Sequence, residues 1–277
     1  MTLMKTQLAF PWTSARITLA FGVAAAAPLV AGLIAGGGSQ LVSLALALVL
    51  ATLWQTVFSR LRKRPMDWSV IVYALVFALL VPASVSLGQQ AIALSFGLVF
   101  GVMVFGGRGR GFLNPVVVAL SFLAISGADL DVMQAGQSVA ILAALAGVEL
   151  LWLGLLSWRL IAGYAVTLAL MAAIWPLSSG LGTLIGASSV VGLVFLISDP
   201  AASAGTNAGR WAHGVLAAAL VLLFAQNGTG DISLSAVVSA AFLASVFAPM
   251  VDQAVIWLNA RRRARRAGQG SGARHDG

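Results

Sequence analysis

Two short polar stretches hold most of the side chains in this sequence that could do chemistry. The first, residues 106–115, reads GGRGRGFLNP. Gly106, Gly107 and Gly109 let backbone amides approach a ligand closely, while Arg108 and Arg110 supply positive charge. Asn114 and Pro115 close the stretch, and proline removes a backbone donor, so the segment cannot pack as continuous helix. The second, residues 198–211, reads SDPAASAGTNAGRW. Here Asp199, Pro200, Thr206, Asn207 and Arg210 form a dense hydrogen-bonding set. Arginines combined with backbone amides suit a phosphate, an isoalloxazine carbonyl or a quinone oxygen. Aspartate before proline also bonds local backbone, so Asp199 carries a structural reading beside the chemical one.

Glu149 is a third candidate. In AGVELLWLG it falls in the middle of an apolar run. A carboxylate there either belongs to a proton or cation pathway or stays neutral and hydrogen-bonded. His213, two residues after Trp211, reads as an interfacial histidine or a contact to a quinone headgroup. GGRGRG lacks the strand–turn–helix setting of a dinucleotide-binding fingerprint, and the sequence carries no Walker motif and no metal-ligand spacing. It has no cysteine, which excludes disulfides and Cys-ligated iron–sulfur clusters within the chain.

The elements that must hold these stretches are hydrophobic helices. The chain is 60% hydrophobic and 9% charged, with a mean hydropathy of +0.98. Its apolar runs have membrane-crossing length, so the expected fold class is an all-α, polytopic membrane protein. Ten spans are expected near residues 15–35, 41–58, 68–85, 89–105, 112–126, 138–158, 160–177, 183–198, 211–226 and 234–257. Residues 1–14 then form a cytoplasmic N-terminal segment, 15–257 the transmembrane domain and 258–277 a basic, disordered cytoplasmic tail.

Charge tests that count. Lys5, Arg16, Arg60, Arg62, Lys63, Arg64, Arg108, Arg110, Arg159, Arg210 and the arginines from 261 onward all fall on one side of the ten-span arrangement, with Asp129, Asp131 and Asp231 on the other. The basic side is cytoplasmic, which places both termini inside. The net charge of +8 is therefore a topology signal and not a nucleic-acid footprint. The tail arginines are expected to meet anionic lipid headgroups, and Trp54, Trp68, Trp158, Trp211 and Trp257 to anchor span ends. Ten spans with a polar stretch in each half point to a five-plus-five inverted repeat.

At these residues the chain resembles the RnfD/NqrB family, membrane components of Rnf electron-transport complexes and of the Na⁺-translocating NADH:quinone reductase. That family has a Gly-rich loop ending in Phe-Asn-Pro, then a span ending in Thr-Asp-Pro followed by Thr-Asn-x-Gly-Arg/Lys. Phe112-Leu113-Asn114-Pro115 matches the first with one inserted position, Ser198-Asp199-Pro200 the second with Ser for Thr, and Thr206-Asn207-Ala208-Gly209-Arg210 the third intact. Residues 67–82 and the closing FAPMVDQ at 247–253 add to the likeness.

The resemblance implies a ten-helix subunit of the bacterial inner membrane. It would pass electrons through flavin or to quinone within a multisubunit complex, with a link to Na⁺ or H⁺ movement. One departure stands out. Family members carry FMN esterified to a threonine in a Ser-x-Ala-Thr-Pro-Leu type motif, in a long segment after the fifth helix. Here residues 126–137 replace it, and Ser126-Gly127-Ala128 is followed by Asp129, which has no hydroxyl to esterify. The expectation is a shortened member with noncovalent flavin (FMN or riboflavin) or quinone, and without covalent FMN. Arg108, Arg110 and Arg210 would stabilise anionic oxygens, and Asn114, Asp199, Thr206 and Asn207 would bond the ring or shape the loop. Two other readings stay open: a transporter or channel for a small solute or ion, with Glu149 as coupling residue, and a scaffold subunit that has lost its flavin.

Overall fold

A computed structural model describes residues 13–130, 136–174, 186–227 and 232–272. Among these the regular structure is helical throughout: α1 (Ser14–Arg62), α2 (Ser69–Leu80), α3 (Leu87–Leu98), α4 (Pro115–Ile125), α5 (Gln137–Trp152), α6 (Trp158–Ile174), α7 (Ala187–Gly192), α8 (Asn207–Asn227) and α9 (Leu234–Gly272). Two π-helical turns, Val99–Met103 and Leu193–Ile197, extend α3 and α7. Ser14–Arg62, Asn207–Ala225 and Leu234–Ala264 are long and apolar enough to cross a membrane. The remaining apolar helices are shorter.

α1 is two helices in one. Its 49 residues would span about twice the hydrocarbon core of a bilayer if straight. At Gly37 the backbone leaves the helix, with φ 62° and ψ −144°, a conformation that glycine adopts without a Cβ clash. The chain folds back there, because both ends of α1 meet one loop. Ser14 and Ile17 share a cavity with Arg108 and Gly109, and Arg62 donates from Nη2 to the Val104 carbonyl at 3.1 Å.

The starts of α2, α4, α6 and α8 and the ends of α3, α5 and α7 gather at this same end of the molecule, around the two polar connectors. Close packing fixes them there. A Cβ at Gly101 would stand 2.8 Å from Pro115 Cα, so only glycine lets the π turn after α3 press against the first residue of α4. The core between the helices is aliphatic and small: Val, Leu and Ala dominate, with Phe77 and Tyr164 among the largest side chains fully enclosed. Close packing of small residues is how helices associate where water supplies no driving force.

One sequence expectation is corrected. The apolar pattern predicts a sixth span over 138–158, but α5 ends at Trp152 and the chain turns through Gly154 at φ 73°. Glu149 therefore sits in the last turn of α5 and not at mid-span. At the C-terminal end α9 runs on past Trp257 and Arg261. Alanine and arginine are strong helix formers, and neither breaks a helix already running. Lys5, Asp131, Asp231, Arg274 and His275 lie outside the described residues.

Candidate functional site

Asn114 joins the two connectors. Its Oδ1 accepts the Val116 amide at 2.9 Å, capping α4, and Pro115 occupies the first helical position, where its missing donor costs nothing. Its Nδ2 donates in two directions: to the Phe195 carbonyl at 3.0 Å and to Asp199 Oδ2 at 2.9 Å. The first bond satisfies one of the last carbonyls of the π turn, which ends at Ile197 and leaves Phe195 without an intrahelical donor. Asn114 and Asp199 are both buried, at 2% exposure.

Asp199 then shapes its own connector. Oδ1 accepts the Ala201 amide at 3.1 Å, and its carbonyl accepts the amides of Ala202 and Ser203, each at 3.0 Å. Burial pushes the Asp199 carboxyl up from the ordinary carboxylate range, while the charge of Arg108 and the bonds from Ala201 and Asn114 pull it back. Further along, Asp252 of α9 accepts three bonds: from the Gly205 amide at 2.7 Å, the Thr206 amide at 2.9 Å and Thr206 Oγ1 at 2.5 Å. Thr206 Oγ1 also receives the Gly209 amide at 3.0 Å and starts α8.

The arginine connector is built from backbone. The amides of Gly106 and Gly107 return to the Val102 carbonyl, each at 3.1 Å, and Gly106, Gly107 and Gly109 stand at φ 97°, 119° and 77°. That path sends Arg108 inward and Arg110 outward. The Arg108 guanidinium lies 4.6 Å from the Phe21 ring centroid and 5.7 Å from that of Tyr73, a cation between two aromatic faces. Its Nη1 is buried without a hydrogen-bond partner.

Between the connectors lies a cavity of about 450 Å³, within the usual range for small-molecule sites. Arg108, Gly109, Asp199, Pro200, Ala201 and Arg210 from the connectors line it, together with Ser14, Ile17, Gly154 and Leu155. The proposed site residues thus divide. Arg108, Gly109, Asp199, Pro200 and Arg210 line the cavity; Asn114 and Pro115 brace it from behind. Thr206 is held by Asp252, and Asn207 is exposed at the start of α8. Gly106, Gly107 and Arg110 face the other side of the loop, toward Arg62 and Asp67. Glu149 stands five residues before Gly154, and buried His213 is not among the lining residues.

Several contributors were not singled out as site residues from sequence: Phe21, Tyr73, Asp252 and the lining residues Ser14, Ile17, Gly154 and Leu155. Asp252 had a signal, an acidic residue inside an apolar run. Phe21 and Tyr73 had none, because an aromatic in a membrane helix is ordinary. Two arginines, Arg108 and Arg210, share the lining of this cavity with apolar Ile17 and Leu155.

Comparison with known proteins gives a consistent picture. Residues 5–133 and 128–259 match the family described as "NQR2, RnfD, RnfE family". The B subunit of the Na(+)-translocating NADH-quinone reductase of Pseudomonas aeruginosa (strain LESB58) is 27% identical over 269 residues, covering 78% of this chain and 66% of that protein. Its counterpart in Azotobacter vinelandii is 26% identical over 276 residues, covering 79% and 67%. That of Yersinia pestis is 25% identical over 273 residues, covering 76% and 64%. The chain spans about two thirds of the length of these relatives.

Proposed function

The chain belongs to the NQR2, RnfD, RnfE family, and we propose that it is an integral membrane subunit of an Rnf/Nqr-like electron-transport complex. Its cavity between the connectors would hold a noncovalent flavin, FMN or riboflavin, or a quinone headgroup. The observation that carries this reading is the convergence of Arg108 and Arg210 on one cavity whose wall is fixed by the buried Asn114–Asp199 bond. Bound there, a flavin or quinone would supply reversible electron uptake, which no side chain offers. The chain's own residues would do the rest. Arg108 and Arg210 stabilise negative charge on ring oxygens, Asp199 orients the connector backbone, and Ile17 and Leu155 keep water from the ring.

The same reading places ten crossings in the bacterial inner membrane with both termini cytoplasmic. The gathering of basic residues at the connector end supports it. A five-plus-five inverted repeat is supported by a shared order. α2 is short and is followed by Pro82-Ala83 and a Ser86-capped helix; α7 is short and is followed by Pro200-Ala201 and the Thr206-headed α8. Any coupled Na⁺ or H⁺ movement would draw on Glu149. The remaining subunits of such a complex would be its protein partners.

Purification of the full chain from membranes in mild detergent tests the function. The expected result is a yellow protein whose flavin survives washing, leaves on denaturation, and falls severalfold in occupancy in Arg210→Ala without loss of folded protein. A folded, colourless protein that also fails to bind a quinone analogue would overturn the redox reading. A colourless protein that moves a solute into liposomes would establish the transport reading instead.

A further inference from the structure

The outward side of the arginine connector carries a second cluster of charge that the cavity does not use. A Cβ built on Gly106 would lie 3.3 Å from Arg110 Nη1 and 3.4 Å from Arg62 Nη1. Two guanidinium nitrogens from distant parts of the chain therefore converge within about 7 Å of each other. Arg62 is held in place, with Nη2 on the Val104 carbonyl at 3.1 Å and the guanidinium 5.4 Å from the Phe58 ring centroid. A small cavity of about 70 Å³ is lined by Arg62, Arg64, Asp67 and Gly106, the glycine beside Arg110 Nη1. Asp67 already spends Oδ1 on the Ser69 amide at 3.0 Å. One carboxylate against three arginines leaves the cluster positive.

The surface beside this cluster is apolar and open. Leu61 is 73% exposed and Val104 51%, and Phe105 and Phe112 stack edge to face with both rings partly exposed. A soluble anion would satisfy the arginines and leave that surface bare. We propose that Arg62 and Arg110 bracket the phosphate of a tightly bound anionic phospholipid, whose acyl chains cover Leu61, Val104 and Phe105. The inference rests on the membrane reading of the chain and not on the flavin. The site differs from the basic tail in geometry: its two arginines are gathered by the Gly106–Gly107 turn, whereas Arg261 lies over its own neighbour Trp257 at 3.6 Å.

The test uses delipidated full-length protein in detergent. Its thermal unfolding midpoint is read with added phosphatidylglycerol, phosphatidylcholine or inorganic phosphate, and native mass spectrometry counts the retained lipid. Phosphatidylglycerol is expected to raise the midpoint well above the phosphatidylcholine value and to leave one retained lipid. Arg110→Gln, which keeps the Arg62–Val104 bond, should at least halve the shift. Arg62→Gln/Arg110→Gln should abolish it, and Arg262→Gln should leave it intact. Equal shifts with both lipids, or a full shift in the double variant, would overturn the proposal. A full shift with inorganic phosphate alone would make this a soluble-anion site and overturn the lipid assignment. Failure here leaves flavin occupancy untouched, so the two proposals fail separately.

Discussion

The two polar connectors do the same job by opposite means. Residues 198–206 are pinned by side chains: Asp199 holds Ala201 from within, Asn114 holds Asp199 from α4, and Asp252 holds Gly205 and Thr206 from α9. Residues 106–113 are shaped by glycine backbone, with three positive φ angles and amides that return to the preceding π turn. Side-chain pinning gives a fixed wall. Glycine shaping leaves the arginines free to project to both sides of the loop, Arg108 to the cavity and Arg110 toward Arg62.

Breaking the pinned connector should have the largest effect. Asp199→Ala removes a buried acceptor from Asn114 and Ala201 and the carboxyl that interacts with the Arg108 charge. A loss of about 3 kcal/mol is expected, read by denaturant unfolding in detergent. A change below about 1 kcal/mol would show that the bond seen here carries no weight. Asp252→Ala removes three bonds to a partly buried carboxylate and should cost about 2 kcal/mol. Faster amide exchange at Gly205 and Thr206 should accompany it; unchanged exchange would exclude Asp252 as the tether.

The glycine-shaped connector should respond less. Gly107→Ala forces a Cβ into φ 119°, with no close neighbour but Asp67 Oδ2 at 3.5 Å. About 1–2 kcal/mol is expected from backbone strain alone. Gly107→Asn should be milder than Gly107→Val, and equal stability for the two would contradict the strain account.

Arg108→Gln probes the contact between the connectors through pH. Burial raises the Asp199 carboxyl and Arg108 lowers it, so the substitution should move its titration upward. A carboxyl raised on folding binds its proton more tightly in the native state. Stability is therefore lost as pH climbs from the ordinary carboxylate value toward the raised one. The variant should extend that loss to higher pH. Infrared detection of the Asp199 carboxyl stretch reads the shift directly, and a band that titrates as in the parent would rule out electrostatic contact between the connectors.

Much of this was legible in the sequence because membrane spans and charge asymmetry are strong signals. The apolar runs separated at AGGGSQ foreshadow the break at Gly37, since three glycines interrupt a helix-length run. The start of α4 falls three residues after the expected start at 112, because Asn114 caps the helix and apolar Phe112 and Leu113 stay in the connector. The end of α5 was hidden: LLWLGLLSW is apolar throughout, so nothing but Gly154 marked the turn, and Glu149 looked more central than it is. The bracing by Asp252 depends on α9 returning to a connector 46 residues earlier, and no local pattern encodes that contact. The π turns are equally silent, because VFGVM and LVFLI read as ordinary helix.

The cavity itself can be probed with one thiol, because the chain has no cysteine of its own. Leu155→Cys places it in the lining that Leu155 shares with Arg108 and Arg210. Flavin-stripped protein should react with a small maleimide, and added FMN or riboflavin should slow that reaction several-fold, with the protection lost when Arg210 is also changed to alanine. A reaction rate indifferent to both flavins and to a quinone analogue would mean that the space between the connectors holds neither.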